Sequence, residues 1–137
     1  MMMYLIIPAV FVPLVLLWLY FRVESVDVEE ALQMIENGAV VIDVRTPEEY
    51  EEWHLNGAVN INLFSRDFGR KIKELRKDCE YIVYCRSGHR SAVAVRKMRK
   101  AGLDAYNLKG GVKKLKTKTI LRSERRINRA AEKSKNV

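Results

Sequence analysis

Apolar residues fall into two rhythms along this chain. Short unbroken runs, Ala39-Val40-Val41-Ile42 and Tyr81-Ile82-Val83-Tyr84, read as strands buried on both faces, and Asp104 to Leu108 reads as a third. Between them lie stretches with helical spacing. Asp27-Val28-Glu29-Glu30 opens one with a cap and an acid three residues later, and Asn37-Gly38 closes it. Thr46-Pro47-Glu48-Glu49 is a second capping box with proline at the first helical position, predicting a helix to about His54. Leu63 to Lys77 is helix-compatible, with Phe64, Phe68, Ile72 and Leu75 at roughly helical spacing. From Ala92 to Ala101, Ala94, Val95, Met98 and Ala101 form one face and Arg96, Lys97, Arg99 and Lys100 the other, before Gly102 caps the end. Strands alternating with helices predict an α/β domain with a small parallel sheet covered on both faces.

The start of the chain follows neither rhythm. Met1 to Phe21 carry no charged side chain, and Tyr4 to Phe21 as a helix would span ~27 Å, close to a bilayer core of about 30 Å. Residues 1–22 are therefore expected to be a transmembrane helix, with Trp18, Tyr20 and Arg22 as interfacial anchors. The start lacks the basic leader and small-residue cleavage site of a signal peptide. Basic residues lie on the carboxyl side of this stretch, so the expected location is the cell membrane, single-pass, with the domain cytoplasmic.

The net charge of +8 is concentrated at the other end. Residues 112–137 hold ten Lys or Arg against two Asp or Glu, while the first 111 residues hold fifteen of each sign. Residues 113–137 form a basic tail with no continuous apolar face, for which anionic lipid is a candidate partner. Nucleic acid is disfavoured, because no aromatic is interleaved with the basic residues to stack on bases. Two cysteines invite a disulfide, but a strand between Cys79 and Cys85 would hold them roughly 20 Å apart, and a disulfide needs Cα atoms within about 7 Å. The cysteines and His54 and His89 lack the paired short spacing of a structural zinc site.

The chemistry concentrates in Cys85-Arg86-Ser87-Gly88-His89-Arg90-Ser91, between a buried strand and a helix start. There Gly88 allows a sharp turn, and the amides of residues 86–91 can converge on one anion. The positive end of the following helix and two arginines favour a thiolate, so Cys85 is the candidate nucleophile.

This loop resembles the active-site loop of the rhodanese sulfurtransferases. Asp43-Val44-Arg45-Thr46-Pro47-Glu48-Glu49-Tyr50, then His54-x-x-Gly57-Ala58-Val59-Asn60-Ile61, resembles the amino-terminal signature of that family, and Lys109-Gly110-Gly111 matches its closing glycine pair. Trp53 and Asn56 stand where the family commonly has glycine and proline. The resemblance implies a rhodanese-like three-layer fold over residues 23–112. It implies a sulfurtransferase in which Cys85 is catalytic, Arg86, Ser87, Gly88, His89 and Arg90 bind substrate, and Asp43, Arg45 and Ser91 position the loop. The expected partners are a small anionic sulfur donor such as thiosulfate and an acceptor that is a thiol, a protein or cyanide. No metal or organic cofactor is implied. Related phosphatases place five residues between cysteine and arginine and this chain has four, so phosphatase or arsenate reductase chemistry ranks below sulfur transfer. A noncatalytic module that binds a partner is the other alternative.

Overall fold

The computed structural model describes residues 11–19 and 23–119. Residues 11–19 are helical (α1). The domain follows as β1 (Ser25–Val26), α2 (Val28–Glu36), β2 (Val40–Asp43), α3 (Pro47–Glu52), β3 (Val59–Asn60), α4 (Phe68–Lys73), β4 (Glu80–Tyr84), α5 (His89–Lys100) and β5 (Asp104–Leu108). Residues 111–119 form a last helix, α6. The five strands make one sheet in the order β1-β5-β4-β2-β3, with every pairing parallel. The expected α/β fold with a covered parallel sheet is the fold observed.

Strand β4 is central, and its residues Tyr81 to Tyr84 are at most 2% exposed. Alternate side chains enter two cores. Tyr81, Val83 and Cys85 pack with Phe68 and Ile72 of α4 and Ala94, Val95 and Met98 of α5. Ile82 and Tyr84 pack with Val28 and Ala31 of α2 and Leu115 of α6, with Tyr50 of α3 at the edge. The sheet thus has α4 and α5 on one side and α2, α3 and α6 on the other.

Charge is separated along the chain within the domain. Residues 23–65 hold ten Asp or Glu and one Lys or Arg, whereas residues 66–101 hold four and twelve. The balance of the domain is therefore an average over an acidic α2–α3 half and a basic α4–α5 half.

Local chemistry explains where two helices depart from expectation. Helix α4 begins later than Leu63, because Asn62 Oδ1 accepts from the Phe64 amide and the Ser65 hydroxyl donates to the Asp67 carboxylate, folding residues 63–67 as turns, and it ends at Lys73 rather than Lys77. Helix α3 ends at Glu52, and Trp53 is extended with its carbonyl bound to the Arg45 guanidinium. His54 then stacks on Tyr50, with ring centroids 3.7 Å apart.

The expected single-pass location in the cell membrane, with a cytoplasmic domain, is corrected by the structure. Among the described residues no helix is long and apolar enough to cross a membrane. Nine helical residues in α1 span ~13.5 Å, less than half a bilayer core of about 30 Å. The rest of the expected span, residues 1–10 and 20–22, lies outside the described residues, as does most of the basic tail, residues 120–137.

Candidate active site

Strand β4 ends at Tyr84, and the chain turns through Cys85 to Gly88 into α5. Gly88 is the N-cap of α5 and takes φ 106°, a left-handed conformation open mainly to glycine. That turn brings the Gly88 amide to 3.1 Å from Cys85 Sγ, to which it donates. The Ser91 hydroxyl, one turn into α5, lies 3.3 Å from the same sulfur. Cys85 is fully buried, at 0% exposure. Burial pushes its thiol up, but the Ser91 hydroxyl and the amides of Ser91, Gly88 and Ser87 outweigh burial and leave it below the ordinary value. Hydrogen bonds to the charged form favour a thiolate at the floor of this loop.

The remaining loop residues divide by exposure. Arg86, Ser87 and His89 are exposed at the rim, with Ser87 Oγ 3.1 Å from His89 Nδ1. Arg90 turns toward α3. Its Nη1 and Nη2 donate to Glu49 Oε2 at 2.7 Å and Oε1 at 2.8 Å, a two-pronged bond linking the active loop to the second capping box. Its guanidinium still acts on the sulfur through space, since the Cys85 charge stabilises the charged arginine.

Asp43 and Arg45 are buried at the end of β2 and bound to each other, Arg45 Nη2 to Asp43 Oδ2 at 2.7 Å. Arg45 also donates to the Trp53 carbonyl and lies 5.7 Å from the Tyr84 ring centroid. They brace the ends of β2 and β4 and the chain leaving α3. From the α3 side, a side-chain bond to the loop comes from Glu49.

Sequence reasoning did not single out Glu49 or Asn107. The capping box accounts locally for Glu49, whose side chain also accepts from the Thr46 amide, so nothing in the pattern points to a partner 41 residues away. Asn107 left a signal, a polar residue inside an apolar strand. It is 8% exposed, and its Oδ1 lies 2.6 Å from Ser91 Oγ while its Nδ2 donates to the Gly88 carbonyl at 3.3 Å. From behind, Val112 donates its amide to the Cys85 carbonyl at 3.0 Å.

The Glu49–Arg90 bond carries a pH dependence. Arg90 hydrogen bonds hold the Glu49 carboxyl down from 4.5 to about 2. A depressed folded value means that its stabilisation is complete above 4.5 and is lost as pH falls toward about 2. Glu49→Gln therefore lowers the thermal midpoint at neutral pH by roughly 4–8 °C, the worth of about 1 kcal/mol for a partly exposed pair. Melting curves of the parent and variant should converge as pH falls through that window.

The site is thus a buried cysteine at the carboxyl end of a central parallel strand, with the amides that open a helix gathered on its sulfur. The chain matches the model of the rhodanese-like domain over residues 27–118 and belongs to that family. It is 39% identical over 72 residues to a tRNA sulfurtransferase of Pyrobaculum aerophilum, covering 53% of this chain but only 14% of that protein. It is 36% identical over 85 residues to thiosulfate sulfurtransferase GlpE of Pseudomonas paraeruginosa, covering 61% of this chain and 74% of the relative. The crystal structure of a rhodanese-related protein from Thermoplasma volcanium aligns with a TM-score of 0.63 at 28% identity, over 69% of this chain and 92% of the other.

Proposed function

We propose that this protein is a sulfurtransferase that carries sulfane sulfur on Cys85. The observation that carries the reading is the thiol at the loop floor, which accepts from the Gly88 amide, faces the Ser91 hydroxyl and is held below its ordinary pKa. With thiosulfate, the Cys85 thiolate attacks the outer sulfur. A new S–S bond forms, the bond within thiosulfate breaks, and sulfite leaves with its electron pair. An acceptor thiolate or cyanide then attacks the outer sulfur of the persulfide, and Cys85 leaves as the thiolate. Covalent catalysis in two steps needs no separate base when the thiol ionises by itself, which the lowered pKa of Cys85 favours. The loop amides stabilise charge on the cysteine persulfide.

Arg86 is the arginine available to the incoming anion, since it is exposed at the rim while Arg90 is bound to Glu49. Arg86→Ala should raise KM for thiosulfate about five- to tenfold, the worth of one exposed charge-assisted contact, with kcat little changed. Steady-state thiocyanate formation from thiosulfate and cyanide gives both parameters. The test of the function itself is the intact mass after incubation with thiosulfate. Gain of one sulfur supports the reading, and no gain across several sulfane donors overturns it.

A further inference from the structure

Ser91 has one hydroxyl proton and two acceptors within reach of it. Asn107 Oδ1 lies at 2.6 Å and Cys85 Sγ at 3.3 Å, so the hydroxyl can serve only one of them at a time. The amide orientation of Asn107 is set from its other end. Its Nδ2 donates to the Gly88 carbonyl at 3.3 Å, which aims Oδ1 at Ser91. Turning the amide over would set two acceptor oxygens, Oδ1 and the Gly88 carbonyl, against each other. Asn107 is fixed on β5, where its own amide donates to the Glu24 carbonyl.

We propose that Asn107 is a positioning residue that competes with Cys85 for the Ser91 proton. The hydroxyl points at Asn107 while the sulfur is uncharged and rotates onto the sulfur when it is a thiolate. No covalent bond breaks in this exchange, which is a rotation about the Ser91 Cβ–Oγ bond. A neutral divalent sulfur, as in the thiol or the inner atom of a persulfide, is a weak acceptor, so there the proton rests on Oδ1. A thiolate must draw the proton away from Oδ1, leaving two oxygens 2.6 Å apart without a hydrogen between them. Asn107 therefore reduces the hydrogen-bond stabilisation of the thiolate. A less stabilised thiolate is a better nucleophile, because thiolate reactivity falls as thiol pKa falls. The proposal deepens the reading of Cys85 as the nucleophile, and its test uses no sulfur transfer.

The charged groups facing this cluster are Arg90 of α5 with Glu49 of α3 bound to it, the Asp43–Arg45 pair of β2, and Lys114 of α6 packed on Gly110. Arg86 and His89 complete the rim. All stay in place in the variants below.

The experiment follows alkylation of Cys85 by iodoacetamide across pH in the full chain, read from the mass of the peptide that contains it. Asn107→Leu removes the competing acceptor at similar volume. The midpoint of the pH profile should fall by about one pH unit, the worth of one ordinary hydrogen bond. The limiting rate at high pH should fall about threefold, as a Brønsted slope near 0.4–0.5 requires. Asn107→Asp keeps an acceptor, strengthens it and should move the midpoint upward. In the Ser91→Ala background, Asn107→Leu should leave the midpoint unchanged. A rise in Asn107→Leu, or an equal fall with and without Ser91, overturns the proposal. Where Asn107→Leu fails to fold, Asn107→Asp decides. Its through-space charge acts in both backgrounds, so a rise larger with Ser91 present supports the competition and an equal rise overturns it.

Discussion

Cys85→Ser should take up no sulfur from thiosulfate, while the parent chain should gain one sulfur atom and lose it again on addition of cyanide. Two properties of the site lead to this result. The amides and hydroxyl around position 85 stabilise a thiolate whose pKa they have already lowered. A serine hydroxyl there is a weak nucleophile unless an adjacent base activates it. The loss in turnover should be on the order of 10⁴-fold or more, as for removal of a covalent nucleophile elsewhere. Serine is close to cysteine in size, so the fold should persist, and an unchanged melting curve separates lost chemistry from lost structure. Sulfur gained by the variant at the parent rate would remove Cys85 from the mechanism.

Gly111→Ala is expected to damage both the fold and the site. Gly111 has φ 58°, and a Cβ built there overlaps the backbone carbonyls of Arg86 and Cys85. Those carbonyls belong to the active loop and cannot swing aside as a flexible side chain would. The left-handed conformation costs about 1–2 kcal/mol for a residue with a Cβ, and forcing extra volume into packed backbone typically adds about 1–3 kcal/mol. Together they should lower the thermal midpoint by 10 °C or more, to order of magnitude. Gly57→Ala is the matched control. It also has positive φ, at 85°, but nothing lies within 4 Å of its Cβ, so it should show only the smaller conformational cost. Equal effects from the two variants would show that contact with the loop is unimportant. Sulfur loading should fall further for Gly111→Ala than its loss of folded population explains, because the overlap lies on the carbonyl of Cys85 itself.

The elements legible in the sequence were those whose signal is local. The Thr46 capping box with proline behind it predicts α3, and both halves of the box form. The Asp27 cap likewise opens α2, with its carboxylate accepting from Glu30. Tyr81 to Tyr84 reads as a doubly buried strand because helices cover both faces of the sheet, and α4 with α5 and α2 with α6 do so. The length of α4 was not legible, since Asn62, Ser65 and Asp67 turn the chain by side-chain bonds that leave the apolar spacing intact. The apolar start of the chain, read as a membrane span, showed the limit of composition. Hydropathy reports what a segment would bury, and among the described residues no helix reaches the length a bilayer requires.

By itself, the sequence determined the class of fold, the order of its main elements and the place of the cysteine loop between strand and helix, because alternating apolar rhythms, caps and a glycine turn act over a few residues. Only the tertiary structure decided what surrounds that loop. It turned Arg90 onto Glu49, set Asn107 against Ser91 and pressed Gly111 onto the loop carbonyls. These partners lie up to 41 residues apart. Parallel strand pairing brings such residues together by long crossovers, and no local pattern encodes which side chains then meet.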